Sequence, residues 1–177
     1  MNGPPATAAS GSTTAGSGHP APSFSVADIV TVLFFSEMHR AANDHSPDHD
    51  LFVLSKGHAA PALYAALYEG GFITEEAMLS LRQLGSPLQG HPDMRMTDVD
   101  ATSGSLGIGL SQAVGRAYGA RLRGSARRVF AVVGDGELQE GQIWEAALAA
   151  AHLKLDNLIA FVDLNGYQVG GPVKEVI

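Results

Sequence analysis

The sequence predicts an α/β fold with a parallel sheet, and two apolar runs and the segment between them support this prediction. The runs cover residues 129–133 and 158–162, are rich in β-branched side chains and end in turn signals. Small apolar residues recur between the runs at helical spacing, at Ile143, Ala146, Ala147, Ala150 and Ala151. A strand, helix, strand unit of this kind favours a right-handed crossover between parallel strands.

Oxygen-bearing side chains follow both predicted strands. Asp135 comes directly after the first strand and Asn165 shortly after the second. Open parallel sheets bind their ligands at the carboxyl ends of their strands, so we expect the two residues to meet there. A carboxylate, an amide oxygen and a backbone carbonyl such as that of Tyr167 are hard ligands suited to Mg²⁺ or Ca²⁺. Phosphate oxygens and water can complete such a shell.

The turn Gly134-Asp135-Gly136 predicts a diphosphate beside this metal. Glycines let the backbone approach a phosphate, and a helix beginning near residues 138–141 would point its N–H groups and positive dipole end there. An Asp-Gly pair is also common in hairpin turns, but a helix-length segment follows it here instead of a pairing strand. A dinucleotide fingerprint would need glycine at position 139, where Gln139 stands.

These residues carry a family resemblance. Gly134-Asp135-Gly136, 28 intervening residues and Asn165 resemble the signature of thiamine diphosphate enzymes. The segment GELQEGQIWEAALAAAHLKLDNLIAFVD is similar to the transketolase form of that signature, and the resemblance extends from about residue 15 to the end. It implies the thiamine diphosphate-binding fold, a parallel sheet with helices on both faces. The chain stops at Ile177 after about three strands, so we expect an incomplete C-terminal side.

Composition narrows the classes of protein. The 177 residues suffice for one domain, and a net charge of −7 without a basic run disfavours nucleic acid and anionic membrane as partners. The lack of cysteine excludes disulfides and thiolate catalysis and fits a reducing cytoplasm. No apolar run reaches the roughly 18 residues of a membrane span, and the N-terminus does not resemble a signal peptide. We therefore expect a cytoplasmic protein.

The first half of the chain divides into a tail and the start of a domain. Residues 1–16 contain only small and polar side chains besides the initial Met and predict a disordered tail, followed by a diphosphate-binding domain over residues 17–177. Ser25 is a candidate N-cap for an apolar helix over residues 26–38. His45 and His49 lie four residues apart among carboxylates, but Pro47 disfavours the helix that would face them together, so a solvated loop is favoured over a metal site.

The middle of the chain predicts one strand and three helices. Residues 51–54 read as a short buried strand and residues 59–69 as a helix closed by glycine. A further helix is predicted to begin at Thr74 and to stop at Gly85. A Gly- and Ala-rich helix then runs to about Arg123, with small residues at 109, 113, 117 and 120 suited either to internal packing or to another subunit.

Three histidines, His19, His58 and His91, each follow a glycine in a predicted loop. From the residues alone they could be solvated, or could form a catalytic zinc site. Each also lies in a word similar to one of the transketolase family: SGHP, S-x-GHA and GHP followed by an acid. The resemblance implies that they surround the reactive carbon of the cofactor, hydrogen-bond the substrate and assist proton transfer, which imidazole can do near neutral pH.

The resemblance assigns further site residues. Gly104, Ser105 and Leu106 match the loop that touches the diphosphate and thiazolium region, and Gly134, Asp135, Gly136 and Asn165 complete the cofactor set. Asp135, Asn165 and the Tyr167 carbonyl match the metal ligands. Glu140 matches a carboxylate near the subunit interface, although a solvated acid in the first helical turn is an equally good interpretation.

The function implied is that of the diphosphate-binding subunit of a split transketolase, which moves a two-carbon ketol unit between sugar-type substrates with thiamine diphosphate and Mg²⁺ or Ca²⁺. A C-terminal subunit would supply the pyrimidine-binding domain and its glutamate, in an assembly with two copies of each chain. Two alternatives stay open. One is a carboligase component resembling deoxyxylulose-phosphate synthase, and the other is a non-catalytic interaction module of the same fold.

Overall fold

Three parallel strands form the central sheet of the computed structural model, which describes residues 3–42 and 46–176. The strands are β1 (Leu51–Leu54), β2 (Val129–Gly134) and β3 (Leu158–Asp163), in the order β1-β2-β3. Leu51 pairs with Val129, and Gly134 with Asp163. This parallel pairing confirms the predicted α/β fold with a parallel sheet. Every residue of β1 and β2 is buried, as expected for strands covered on both faces.

Eight α-helices surround this sheet within the described residues: α1 (Gly3–Ala15), α2 (Pro20–Ser25), α3 (Ala27–Val32), α4 (Ala60–Glu69), α5 (Glu75–Leu79), α6 (Ile108–Leu122), α7 (Gly141–His152) and α8 (Val173–Val176). A π-helical turn over Leu33–Glu37 continues α3. Short 3₁₀ turns over Gly57–Ala59 and Gly136–Gln139 precede α4 and α7. A small hairpin of β4 (Tyr167–Gln168) and β5 (Gly171–Pro172) follows β3.

The sheet separates two apolar cores because side chains alternate along each strand. Phe52, Leu54, Phe130 and Val132 face the core that α1, α3, α4 and α5 help to build. Their neighbours Leu51, Val53, Val129, Ala131 and Val133 face the second core, under α6 and α7. Helices on both faces agree with the predicted layering.

Helix α1 differs from the disordered tail expected over residues 1–16. It packs against α4, where the hydroxyl of Thr7 donates to Glu69 at 2.5 Å. Ala8 and Gly11 are buried, and a Cβ on Gly11 would lie 2.7 Å from Met78 Cε. The small side chains that resemble low-complexity sequence are therefore what lets this helix lie close to its neighbours.

Two predicted helix ends were wrong. The helix expected over residues 26–38 is present as α3 and the π-helical turn after it, but its N-cap is Val26, and Ser25 ends the separate helix α2. The helix capped by Thr74 ends at Leu79 instead of continuing to Gly85. Ser80 then bonds Ser86 at 2.7 Å and the backbone of Arg82 turns to a positive φ of 60°, so the chain leaves the helix early.

The remaining described segments agree with the predictions. Of the loop expected over residues 43–50, the structure describes 46–50 as non-helical, while His45 lies outside the described residues. The small-residue face of α6 packs inside the chain, and Gly109 lies so close to β1 that a Cβ would come 2.5 Å from Ser55 Cα. No helix in the described ranges is long and apolar enough to cross a bilayer.

Candidate functional site

Asp135 lies at the carboxyl edge of the sheet, directly after β2. Its carboxylate accepts from Gly136 N at 2.9 Å and from Gly166 N at 2.6 Å. The second bond joins the end of β2 to the loop after β3, because Gly166 follows Asn165. A carboxylate has about four acceptor positions, so both oxygens keep capacity for a cation.

Asn165 lies in that loop beside Asp135, as the sequence predicted. Its side-chain oxygen accepts from Tyr167 N at 2.9 Å, and its Nδ2 donates to Asp163 Oδ2 at 3.1 Å. The two bonds fix which end of the amide carries the oxygen. The amide oxygen retains a second lone pair, which suits a metal ligand.

Asp163, the last residue of β3, is a shared acceptor that the sequence analysis did not single out. Its carboxylate forms a buried ion pair with Lys56, and accepts from the hydroxyl of Ser25 at 2.6 and 2.7 Å. Burial by itself raises the pKa of Asp163, but hydrogen bonds from Lys56, Ser25 and Asn165 outweigh burial and hold the pKa below its usual value. The aspartate is therefore charged at neutral pH.

Glu137 joins the two glycine-containing loops of the site. It is 2% exposed, and one carboxylate oxygen accepts from Ser55 Oγ at 2.5 Å and from Gly107 N at 2.8 Å. The other oxygen accepts from Gly134 N at 3.0 Å. One carboxylate thus holds the ends of β1 and β2 and the start of α6 together.

Two buried polar atoms near the strand ends have no hydrogen-bond partner among the described residues. Gly136 is flanked by Gln168, whose buried side-chain oxygen has no hydrogen-bond partner within the described residues. Ser103 Oγ beside Gly104 is unpaired in the same way. Buried polar atoms without partners are rare in folded proteins, so both atoms have unused capacity for a ligand or water.

Asp135 and Asn165 could hold a cation together with the Tyr167 carbonyl, whereas no three His, Cys, Asp or Glu side chains are grouped for a metal in the described parts of the chain. The zinc site considered for the three histidines is therefore not formed.

His19 and His58 are brought together as the sequence predicted. Their ring centroids lie 6.0 Å apart at an interplanar angle of 84°. His19 immediately precedes α2, and His58 lies in the turn before α4, two residues beyond Lys56. His91 packs against Gly104, where a Cβ would lie 3.4 Å from the imidazole Cγ.

Electrostatic interactions link the three histidines, because the charge of one affects the pKa of another. Burial, together with the charges of Lys56, His19 and His91, lowers the pKa of His58 to about 4, while the charge of Asp163 opposes the shift. The pKa of His91 is lowered by burial, by Arg82 and by His19. His58 is therefore neutral at pH 7, with one ring nitrogen able to donate and the other to accept.

The loop before α6 lies between the histidines and the strand ends. Gly104 has a φ of 153° and Gly107 a φ of 88°, a region that favours glycine. Ser105 and Leu106 between them are exposed and free to meet a ligand. Glu140 is also exposed, and its stem lies near Gly107.

Sequence reasoning missed Ser25, Lys56, Glu137 and Asp163. Lys56 and Asp163 had a usable signal, because each is a charged residue at or just beyond the carboxyl end of a buried strand. Glu137 resembled an ordinary first-turn acid, and Ser25 an ordinary cap. Their roles depend on partners between 30 and 138 residues away in sequence, which local patterns do not specify.

Comparison with known proteins identifies the family of this chain. The family model described as "Transketolase, thiamine diphosphate binding domain" matches residues 7–177. Transketolase-like protein 2 of Bos taurus is 52% identical over 152 residues, covering 85% of this chain and 24% of that protein. Human transketolase is 49% identical over 155 residues, covering 86% of this chain and 25% of that protein. The chain spans about a quarter of the length of these relatives.

A shorter relative and the solved structures show the same relationship. The "6-deoxy-6-sulfo-D-fructose transketolase subunit SqwG" of Clostridium sp. (strain MSTE9) is 43% identical over 163 residues, covering 91% of this chain and 59% of that protein. A transketolase structure from Leishmania mexicana superposes with a TM-score of 0.92 at 32% identity, covering 98% of this chain and 28% of that one. One from Campylobacter jejuni gives 0.89 at 34% identity, covering 97% of this chain and 28% of that one.

Proposed function

Since this chain belongs to the family of transketolase thiamine diphosphate-binding domains, we propose that it forms the diphosphate-binding half of a site for transferring a two-carbon ketol unit between sugar-type substrates. The observation that carries the proposal is the junction at the carboxyl edge of the sheet, where Asp135 accepts from the backbone of the Asn165 loop at 2.6 Å. That junction supports the proposal, because it fastens the residue after Asn165 to the Asp135 carboxylate.

Asp135, Asn165 and the Tyr167 carbonyl would hold Mg²⁺ or Ca²⁺, and the cation would neutralise the diphosphate. The lack of side chains at Gly134 and Gly136 would let phosphate oxygens approach this turn, whose N–H groups at these positions bind Glu137 and Asp135. When bound, thiamine diphosphate supplies a nucleophilic carbon for breaking the carbon–carbon bond next to a ketose carbonyl. Gly104, Ser105 and Leu106 would border the thiazolium end of the cofactor.

The histidines of this chain would handle substrate protons. Neutral His58 can accept a proton from a substrate hydroxyl or donate to a carbonyl, and His19 is beside it with its ring at right angles. His91 lies against Gly104, next to the loop proposed to contact the cofactor. Together they would orient a polyol chain and exchange protons with it.

We also propose that catalysis needs a second, C-terminal polypeptide that contributes the pyrimidine-binding domain. Two observations support it: the relative named as a subunit, and the exposed apolar side chains around α7 and the loop after β3, which are Trp144, Leu148, Leu164, Tyr167 and Val169. Two copies of each chain and a cytoplasmic location remain predictions from the sequence.

The test combines binding with turnover. Calorimetry of the purified chain, alone and with a C-terminal transketolase subunit, measures affinity for thiamine diphosphate with and without Mg²⁺. Ketol transfer from a ketose donor to an aldehyde acceptor is then assayed under saturating cofactor. We expect Mg²⁺-dependent binding, and turnover only in the presence of the second subunit. Robust turnover by the chain alone would contradict the need for a partner, and no binding in either setting would favour a non-catalytic module.

A further inference from the structure

We propose that Asp163 is a positioning residue, which holds the metal-ligand loop and two histidine-bearing segments in the geometry the cofactor requires. The inference rests on the proposed function, because it concerns the same site. Asp163 is not itself a proposed metal ligand, and no hydrogen bond of its side chain within the described residues joins it to a histidine ring. It acts through Ser25, Lys56 and Asn165.

The chemistry of its contacts distinguishes Asp163 from a carboxylate that only fastens the backbone. Every hydrogen bond that the described residues make to its side chain comes from another side chain. The carboxylate is 6% exposed and Lys56 is 1% exposed, so water competes little for these bonds. Charge-assisted hydrogen bonds in such surroundings fix side-chain orientation strongly.

The effect on Asn165 concerns the direction of its amide. An amide can turn by half a revolution and exchange its oxygen for its nitrogen, and only the oxygen can bind a cation. Because Nδ2 donates to Asp163, and the amide oxygen accepts from Tyr167 N, the flipped state would lose both bonds. Asp163 thus selects the one orientation in which Asn165 is a metal ligand.

The other two partners extend this control to the histidines. Ser25 ends α2, the helix that begins right after His19, and Lys56 stands two residues before His58. Both segments are held to the same carboxylate at the end of β3. A shift of Asp163 would therefore displace the metal ligand and the histidine pair together.

The first test needs no cofactor. Side-chain amide resonances of Asn165, assigned from their loss in Asn165→Ser, are compared between Lys56→Met and the double variant Lys56→Met/Asp163→Leu. Both variants lack the lysine, so only the acceptor differs. We expect a slowly exchanging Nδ2 proton shifted away from its free-amide position in Lys56→Met, and rapidly exchanging protons near the positions of a free asparagine amide in the double variant. Identical resonances in the two proteins would overturn the inference.

The second test separates positioning from stability. Replacing both members of a buried ion pair by apolar residues commonly restores the stability lost by removing one member. The double variant should therefore melt at a higher temperature than Lys56→Met, yet its Mg²⁺-dependent gain in thiamine diphosphate affinity should be lower by about 10- to 100-fold. A purely structural Asp163 would make melting temperature and affinity rise together, which would overturn the inference.

Asp50→Asn is the matched control, since Asp50 is a buried, ion-paired carboxylate at the opposite end of the same sheet. It should lower the melting temperature and leave the Mg²⁺-dependent gain unchanged. If Asp50→Asn lowered the Mg²⁺-dependent gain in thiamine diphosphate affinity as much as the double variant does, the inference would be overturned. If the unaltered chain binds no thiamine diphosphate with Mg²⁺, either alone or with the second subunit, the proposed function fails, and the amide resonances still decide the role of Asp163.

Discussion

The two ends of the sheet each carry a buried, ion-paired aspartate, but the two carboxylates are used differently. At the amino end, Asp50 accepts from the backbone N–H groups of Arg128 and His39, both at 2.9 Å, and from the Arg128 guanidinium at 2.6 Å. At the carboxyl end, Asp163 binds only side chains within the described residues. The amino-end aspartate anchors the chain itself, whereas the carboxyl-end aspartate anchors groups that can face a ligand.

The pKa shifts of the two aspartates are alike, so charge alone does not separate their roles. Burial raises the pKa of Asp50, and the hydrogen bonds from Arg128 and His39 outweigh burial and lower it, as Lys56, Ser25 and Asn165 do for Asp163. Because folding lowers both pKa values, the ionised carboxylates stabilise the fold at a pH above 3.8, which is their pKa in the unfolded chain. This stability is lost as the pH falls through the pKa of the folded state. The two aspartates differ in their hydrogen-bond donors. Asp50 binds backbone N–H groups as well as the Arg128 guanidinium, whereas Asp163 binds only side chains that belong to segments of the candidate site.

The largest expected effect comes from removing the metal ligand at the carboxyl end. Asp135→Ala should abolish Mg²⁺-dependent thiamine diphosphate binding, a loss of more than about a hundredfold, because the diphosphate charge is left without its cation. Calorimetry with and without Mg²⁺ measures it. Asp156→Ala, an exposed aspartate outside the site, is the control and should bind normally. Undiminished affinity in Asp135→Ala would remove Asp135 from the metal site.

Breaking the ion pair at the amino end should cost stability without touching the site. Arg128→Met leaves Asp50 buried without its cation and should lower the free energy of unfolding by about 3 kcal/mol. Denaturant titration measures this loss, and calorimetry should show an unchanged Mg²⁺-dependent affinity. An affinity that falls with Arg128→Met would mean that the two ends of the sheet are not independent.

A smaller effect is expected where α6 crosses the end of β1. Gly109→Ala would bring a Cβ within 2.5 Å of Ser55 Cα, so it should destabilise the fold by about 1–3 kcal/mol and disturb the Ser55 contact with Glu137. Gly115→Ala on the same helix meets nothing within 4 Å and should stabilise by up to about 1 kcal/mol through helix propensity. Thermal unfolding of both variants measures the difference, and equal shifts would show that the close contact is unimportant.

The smallest expected effect is a shift in titration at the carboxyl end. Lys56→Met removes a positive charge that lowers the pKa of His58, so that pKa should rise from about 4 toward its ordinary value of 6.5. NMR titration of the imidazole measures it, with Arg128→Met as the control that should leave His58 unchanged. Because the folded pKa lies below the unfolded one, protonation favours unfolding, and His58 should lower the stability of the unaltered chain as the pH falls from 6.5 to about 4. A His58 titration unaffected by Lys56→Met would remove the lysine as a cause.

The sequence predicted the strands better than it predicted the contacts between them. Strand positions follow from apolar runs and turns, and β1 agrees to the residue with the predicted 51–54. Asp135 and Asn165 were placed correctly, because the ends of adjacent parallel strands necessarily meet. Helix α1 was mistaken for a tail, since its small side chains carry no amphipathic pattern and are stabilised by α4. Asp163 was overlooked because its partners lie at residues 25 and 56, far from it in the chain.

The long reach of Asp163 also has a kinetic consequence. Its contacts with Ser25 and Lys56 close loops of 138 and 107 residues, whereas Asp50 meets His39 across 11 residues and Arg128 across 78. Contacts that close long loops form late, because the chain loses more entropy before the contact compensates for it. We expect the amino end of the sheet to be ordered early on the ribosome and the cofactor edge only after β3 has emerged. Pulse-labelled hydrogen exchange during refolding tests this order, and protection of the Ser25 and Asp163 segments as early as that of β1 would contradict it.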